Sequence, residues 1–515
     1  MHIMNKKDCI LAIDQGTTST RSIVFGKDAQ ALAISRREFP QHYPEPGWVE
    51  HDVEDIWRDV LATARETIDE VGGPERIAAL GITNQRETVV IWDRETGRAI
   101  HRALVWQDRR TAHECSILRQ QGKEAMVRDK TGLLLDPYFS ASKIAWLLDH
   151  VPDARRRAEA GELAAGTIDC FLLWRLTGGR KHATDITNAC RTSLFNIHTQ
   201  QWDDELLQLF NVPRALLPEV CDNSSDFGET EAKLFGEKIV IGGMAGDQHA
   251  AVIGQACFHE GMAKATYGTG CFMLLNTGEK PIMSNNRLLT TIAYRIGGKT
   301  FYALEGSIFV AGAGIKWLRD GLQLITHASQ TDDMATRIPD SHGVYMVPAF
   351  VGLGAPHWDP DARGLICGLT LGSTQAHIAR AMLESVAYQT YDLIRAMRED
   401  GAMRTSILRI DGGMAVNDWF AQFLSSMLKA EVERPVNIET TALGAAFLAG
   451  LQVGLWKSLD EVAATWKQER VFAPKMDPAQ RRIMIDGWHD AVRRTLTPLA
   501  VAAPATVAAV SSQAA

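Results

Sequence analysis

No C-x-x-C pair occurs among the eight cysteines of this chain, at positions 9, 115, 170, 190, 221, 257, 271 and 367. That excludes zinc ribbons and thioredoxin-type redox motifs. Cys9 and Cys271 lie within apolar runs and read as small core residues, and scattered free thiols point to a reducing compartment. No apolar run reaches the roughly 20 residues of a membrane helix. Residues Met1 to Asp8 are too polar for a signal peptide. A cytoplasmic protein is expected, which makes the sequon Asn223-Ser224-Ser225 a chance match. Charge of one sign is also scarce: 54 basic against 62 acidic residues leave a net charge of −8. That balance excludes a nucleic-acid-binding surface, and Arg155-Arg156-Arg157 is short enough to be one solvated helix face. The Walker pattern G-x-x-x-x-G-K-[ST] is missing too. Any phosphate site must be built in another way.

Such a site is suggested near the N-terminus. The apolar run Ile10 to Ile13 reads as a buried strand, and Ser22 to Phe25 as a second. Between them stand Asp14-Gln15-Gly16-Thr17-Thr18-Ser19-Thr20-Arg21. Gly16 permits a sharp turn, the hydroxyls suit phosphate oxygens, and Asp14 suits Mg2+ directly or through its waters. Ala31 to Phe39 supplies a third strand. The pattern recurs in the second half: Met262 to Tyr267, the turn Gly268-Thr269-Gly270, Cys271 to Leu275, then a hairpin Thr290–Ile296 and Thr300–Leu304 joined by Gly297-Gly298. Two similar α/β halves facing each other across a cleft are expected. Gln375 to Glu399 has helical apolar spacing without Pro or Gly. Thr441 to Gly454 is rich in Ala and Gly and suits a helix packed very closely on a neighbour. Val501 to Ala515 carries no charge and reads as a disordered tail.

Three further segments carry polar chemistry. In Thr83-Asn84-Gln85-Arg86-Glu87-Thr88, Arg86 and Glu87 would point to opposite faces of a strand, so meeting on one ligand requires a turn or bulge. A surface ion pair is the alternative. Asp247, in Gly246-Asp247-Gln248-His249, falls at the start of a helix. There it is either a proton acceptor kept ionised by the helix dipole or a plain N-cap. In Asp411-Gly412-Gly413 a strand ends on glycines that let a flat purine or ribose lie on the backbone, or that serve only the strand-to-helix turn.

In their order, these motifs resemble the sugar and polyol kinases of the actin, hexokinase and chaperone-ATPase superfamily, and within them the glycerol-phosphorylating members. The resemblance runs from about residue 8 to about residue 495. It is carried by Ile13 to Ser19, Pro46-Gly47-Trp48-Val49-Glu50-His51-Asp52, Gly81 to Thr88, Thr266 to Leu274, Gly352-Leu353-Gly354-Ala355-Pro356 and Asp411-Gly412-Gly413. It implies two ribonuclease H-like α/β domains, 1–256 and 257–500, around an ATP cleft, and phosphorylation of glycerol to sn-glycerol 3-phosphate with Mg2+.

Position by position, the resemblance implies that Arg86, Glu87, Tyr138, Asp247 and Gln248 hold glycerol hydroxyls while Trp106 and Phe272 lie against its carbons. It makes Asp247 the catalytic base, and Asp14 with Asp247 the carboxylates linked to Mg2+. Thr17, Thr18, Ser19, Arg21 and Thr269 match phosphate contacts, and Gly312, Gly413 and Asn417 match contacts to the nucleoside end. Lys316 replaces a Gln common in relatives and could still reach a ribose or phosphate; Met414 replaces an Ala and is expected to reshape the adenine slot. Glu229 to Lys238, Lys233 and Gln480 depart from the patterns tied to fructose 1,6-bisphosphate and sugar-transport control in relatives, so that control is expected to be absent. A homo-oligomer, dimer or tetramer, is expected. The competing readings are a kinase for xylulose or ribulose and a nucleotide switch of the actin or chaperone kind.

Overall fold

The computed structural model describes residues 7–359, 361–405 and 407–497; the tail from Val501 lies outside the described residues. The apolar run at Ile10 becomes β1 (Cys9–Gln15), buried along its whole length. β1 pairs antiparallel with β2 (Ser19–Gly26), and β2 with β3 (Ala31–Glu38). On its other side β1 runs parallel to β4 (Ile77–Asn84), which runs parallel to β5 (Ile241–Gly246). A central strand covered on both faces explains the unbroken apolar run. Helix α1 (Val53–Glu70), capped by Asp52, covers one face with Ile56, Val60 and Ala64 against Leu11, Ile13 and Val24.

At the start of the second half, α2 (Asp247–Gly254) follows β5 directly. The second sheet is centred on β6 (Ala263–Tyr267), antiparallel to β7 (Cys271–Gly278). A hairpin of β8 (Leu289–Ile296) and β9 (Lys299–Ile308) continues that side, with β9 beside β7. β10 (Ile407–Asp411) and β11 (Glu431–Pro435) extend the other side in parallel, and β12 (Gln468–Phe472) closes the edge. Both sheets therefore share a five-stranded plan, a central strand with two strands in antiparallel succession on one side and two parallel ones on the other, to which the second sheet adds β8 and β12 at its edges. This is the duplication expected from the two hydroxyl turns.

Helix α3 (Gln375–Glu399) has the bounds its periodicity implies, and it buries Met382, Val386, Leu393 and Met397 in the core of the second sheet. Helix α4 (Asp418–Leu428) is capped by Asn417, whose Oδ1 accepts from Phe420 N at 2.8 Å. The Ala/Gly segment forms α5 (Thr440–Gln452). It ends before the expected Gly454, which adopts φ +74°. Although α5 follows the second sheet in sequence, it packs against α2 and the first sheet: Ala442, Ala446 and Phe447 share a cluster with Ile10, Ala12 and Ile253. The approach is so close that a Cβ on Gly444 would fall 1.8 Å from the Ala250 carbonyl, and one on Gly254 1.9 Å from that of Thr440.

Between β4 and β5 the chain inserts a subdomain without a counterpart in the repeat. It builds a small sheet from Ala103–Leu104, Val89–Asp93 and Leu163–Thr167, joined at one edge by Glu50–His51 from the segment between β3 and α1. Among the described residues no helix is long and apolar enough to cross a membrane.

Candidate active site

The first hydroxyl turn is tighter than its sequence suggests. Only Gly16, Thr17 and Thr18 lie outside the strands; Ser19, Thr20 and Arg21 already belong to β2. The turn is closed by Gly16 N donating to Ser19 O at 2.9 Å. Because Asp14 and Arg21 are direct cross-strand partners, their side chains meet in an ion pair, and Arg21 also reaches Glu439 at 2.6 Å. Beneath the turn runs a buried amide chain. Gln85 Nε2 donates to Gln15 Oε1 (3.0 Å), to Gly16 O (3.2 Å) and toward His51 Nδ1 (3.2 Å), and His51 Nε2 donates to Gln41 Oε1 at 2.7 Å.

Arg86 and Glu87 are not a surface ion pair. Both are almost fully buried, and Glu87 takes a left-handed φ of +61°, the backbone reversal that two adjacent residues need to share one pocket. The Glu87 carbonyl accepts from Ser140 Oγ at 3.0 Å. Arg86 Nη1 and Nη2 donate to the two oxygens of Glu305 at 2.6 and 2.9 Å, a bidentate geometry. Arg191 Nε donates to Glu87 Oε1 at 2.7 Å, and its Nη2 to Glu305 Oε1 at 3.2 Å. Burial works against ionising Glu305, but Arg191 and Arg86 outweigh it and hold that carboxyl far below the usual range. Burial raises Glu87 instead, with Arg86 and Arg191 only partly offsetting it.

Asp247 opens α2 as its first helical residue. The cap position belongs to Gly246, so the plain N-cap reading fails. Arg86 Nε lies 3.2 Å from Asp247 Oδ1, and Gln248 N donates to the same oxygen at 2.7 Å. A Cβ on Gly246 would fall 2.6 Å from Arg86 Cγ, so only glycine lets Arg86 lie across the helix start. The Asp247 side chain keeps 30% of its exposure and is open to a ligand. Burial raises its pKa, against the pull of Arg86 and Lys264. Lys264, buried on β6, donates to Gln248 Oε1 and to Thr266 Oγ1, the latter at 3.1 Å.

Aromatic rings wall this cluster. Trp106 stands edge-to-face with Tyr138 (centroids 5.5 Å apart) and with Phe272 from the second half (6.3 Å). The Trp106 indole N–H donates to Thr17 Oγ1 at 2.9 Å, which ties the pocket to the first hydroxyl turn. Buried Lys143 donates to the carbonyls of Pro137 and Tyr138 and fixes the segment that carries the Tyr138 ring. Burial and the nearby Glu87 carboxylate keep the Tyr138 phenol protonated.

The remaining expected residues gather around the second turn. Gly268 and Thr269 are exposed. Gly312 N donates to Gly268 O at 2.9 Å, and Ala313 N to Thr269 O at 3.0 Å, which docks the start of helix Gly312–Asp320 on the turn. Lys316 lies exposed on that helix. Gly413 is exposed with open space where a Cβ would be. The Asn417 side chain caps α4 and donates to Thr331 Oγ1 at 3.2 Å. Met414, expected to reshape an adenine slot, is 7% exposed and belongs to the core of the second half.

Sequence reasoning missed Arg191, Glu305 and Lys264. Glu305 and Lys264 each stand as the single charge in a largely apolar stretch, 301–310 and 262–267, and a charge rarely sits there without a buried partner. Arg191 lies in the inserted subdomain and gives no such signal.

The N-terminal domain model of the FGGY family of carbohydrate kinases matches residues 9–254, and the C-terminal domain model matches residues 263–453. A glycerol kinase of Gluconobacter oxydans is 95% identical over 512 residues, covering 99% of this chain and 100% of the relative. One from Rhodospirillum centenum is 60% identical over 494 residues, covering 96% and 99%. Among solved structures, Plasmodium falciparum glycerol kinase with ADP is similar with a TM-score of 0.90 at 39% identity, covering 95% of this chain and 99% of that one. A xylulose kinase from Lactobacillus acidophilus shares the fold, with a TM-score of 0.85 at 22% identity over 94% of this chain and 97% of that one. With both of its halves matched, the chain belongs to the FGGY family of carbohydrate kinases.

Proposed function

We propose that this protein transfers the γ-phosphoryl group of ATP to glycerol, giving sn-glycerol 3-phosphate and ADP. The observation that carries the reading is the pocket at Arg86-Glu87. A buried guanidinium and carboxylate are turned together beside the Asp247 carboxylate and covered by three aromatic rings. Glycerol offers three hydroxyls on a short apolar stem. Arg86 donates to them, Glu87 and Asp247 accept, Gln248 and Tyr138 complete the polar set, and Trp106 and Phe272 cover the carbons. A site built to satisfy every hydroxyl rejects analogues that lack one. The similarity to named glycerol kinases, at up to 95% identity, supports the same assignment.

Asp247 is the general base. Its carboxylate orients the attacking hydroxyl and takes its proton as the new O–P bond forms and the bond from the γ-phosphorus to the β,γ-bridging oxygen breaks, so the electron pair leaves with ADP. Phosphoryl transfer has a loose, in-line transition state, so positioning and charge neutralisation supply most of the catalysis. Thr17, Thr18, Ser19 and Arg21 face the phosphates from one lobe and Thr269 from the other. Gly312, Gly413 and the Asn417 turn flank the nucleoside, with Lys316 at the rim.

Mg2+ fits the donor set. Asp14 on β1 and Ala245 on β5 are both register partners of Thr83, so Asp14 and Asp247 leave the same end of the sheet from strands two apart, with Asp14 about 10 Å from Ala245 along the backbone plane and Asp247 two residues beyond it. Mg2+ is commonly held by one or two carboxylates together with waters and substrate phosphates. Among the described residues no group of three or more His, Cys, Asp and Glu forms a protein-only cage. When bound, the ion would neutralise phosphate charge.

The proposal places the lobe boundary between residues 256 and 257 and includes a cytoplasmic homo-oligomer. In the loop 229–238, Lys233 pairs with Glu231 at 2.7 Å and Lys238 with Glu229 at 3.3 Å, so both lysines are committed to local carboxylates. Because the segment also departs from the pattern tied to fructose 1,6-bisphosphate in relatives, that ligand is expected not to inhibit. A coupled ADP-release assay across glycerol, xylulose and ribulose tests the substrate. Glycerol is expected to give the highest kcat/KM, and equal or better turnover of a pentulose would overturn the assignment.

A further inference from the structure

Glu305 reaches the pocket from the second half of the molecule, whereas Arg86, Glu87 and Arg191 belong to the first. It is the single acidic side chain on β9, 1% exposed, and both of its oxygens are taken by Arg86 while one also accepts from Arg191. Arg191, fully buried, then holds Glu87. Two positive and two negative charges thus form a closed ring around the bases of the two proposed hydroxyl ligands. The ring dictates which atoms remain free. Arg86 spends one N–H of each Nη on Glu305 and sets its Nε 3.2 Å from Asp247 Oδ1 in an ion pair, which leaves the second N–H of each Nη without a protein acceptor among the described residues. Glu87 spends Oε1 on Arg191, and Oε2 has no protein partner among the described residues.

The hairpin that carries Glu305 is itself fastened to the first half. Tyr302 Oη donates to Ile197 O at 3.0 Å, Arg295 pairs with Asp222, and Arg295 N donates to Asn223 Oδ1 at 2.8 Å. Glu305 therefore keeps a fixed place relative to Arg86.

We propose that Glu305 and Arg191 are positioning residues of the acceptor pocket: from opposite halves of the chain they set the orientation of the Arg86 guanidinium and the Glu87 carboxylate, and so determine which polyol hydroxyls can be bound. The proposal rests on Arg86 and Glu87 being acceptor ligands. It assigns recognition of the acceptor to both halves and separates it from recognition of the nucleotide.

Steady-state kinetics of the full chain, with glycerol and ATP varied independently, test it. Glu305→Gln and Arg191→Met are expected to raise KM for glycerol at least tenfold and to leave KM for ATP within twofold. Glu305→Asp and Arg191→Lys, which keep the charge but shift the atoms, are expected to lie between these and the wild type, at threefold or more. If a neutral single variant fails to fold, the charge-keeping variants and the Glu305→Gln/Arg191→Met pair, which removes one charge of each sign, decide the matter. A glycerol KM within twofold of wild type in folded variants, or glycerol and ATP KM rising in parallel, overturns the proposal. The wild type is assayed first. Failure to phosphorylate glycerol would refute the functional reading of the pocket, and the variants would then be scored by the same KM split on whichever polyol or sugar the wild type does phosphorylate.

Discussion

Asp247 is surrounded by groups that pull in opposite directions. Burial favours its neutral form, while Arg86 and Lys264 favour the carboxylate, and the balance leaves its pKa above that of an ordinary aspartate. A base must be deprotonated to accept a proton, so turnover falls as pH drops through that raised value. The acid limb of kcat is expected above the reference value of about 3.9. Asp247→Asn keeps the shape and removes the base. General-base contributions of about 10²- to 10⁴-fold set the expected loss in kcat. Calorimetry is expected to show glycerol affinity within a few-fold of wild type, because Arg86, Glu87 and Gln248 remain. Near-normal turnover by the variant would remove Asp247 from the role of base. At this scale the sequence was legible in local geometry: Gly16-Thr17-Thr18 form a turn between two strands and Asp247 opens a helix, as the residue types imply. It was silent on Arg191, whose partners stand 104 and 114 positions away.

The α2–α5 contact is the element on which the proposed base depends. α2 begins at Asp247, and its far end is pressed against α5 with no room for a side chain at Gly444 or Gly254. Gly444→Ala places a methyl 1.8 Å from the Ala250 carbonyl, and backbone cannot rotate away as a side chain can. Overpacking of this kind costs about 1–3 kcal/mol, which exceeds the roughly 1 kcal/mol of helix propensity that Ala regains over Gly. The variant is therefore expected to melt at lower temperature despite its better helix former, and to lose kcat as α2 shifts; an unchanged or raised melting temperature would contradict the packing argument. The Ala/Gly pattern of α5 told of a close neighbour. It could not say that the neighbour is the helix that begins at Asp247, because the partner is set by tertiary topology and not by period.

At the scale of the whole molecule, two sheets each carry a hydroxyl-bearing turn between a central strand and its antiparallel neighbour, and that duplication was legible from strand–turn–strand order alone. The subdomain between β4 and β5 was not. Its strands are two to five residues long and its helices mostly short, too brief to display a period, yet it supplies Trp106, Tyr138 and Arg191. The same assembly stores a pH dependence. His51 is enclosed as a neutral ring, with Nδ1 facing the Gln85 amide N–H, and burial together with His42 lowers its pKa to about 3. An unfolded histidine titrates near 6.5. Between these values the unfolded chain binds the extra proton, so stability falls as pH falls from about 6.5 toward 3, by about 2 kcal/mol from this group between pH 6.5 and pH 5. Urea titrations at the two pH values should show a smaller drop for His51→Gln than for wild type; equal drops would contradict the buried neutral ring.

The site as a whole stands on one claim, that the pocket at Arg86, Glu87 and Asp247 presents glycerol to the γ-phosphate of ATP. The direct measurement is the rate of ADP formation by the full chain with ATP and Mg2+, in the presence and absence of glycerol, with the phosphorylated product identified. ADP formation is expected to be slow without glycerol and to rise by orders of magnitude with it, yielding sn-glycerol 3-phosphate in equal amount. Substantial ATP turnover that glycerol leaves unchanged would contradict the claim and favour a nucleotide switch with water as the acceptor.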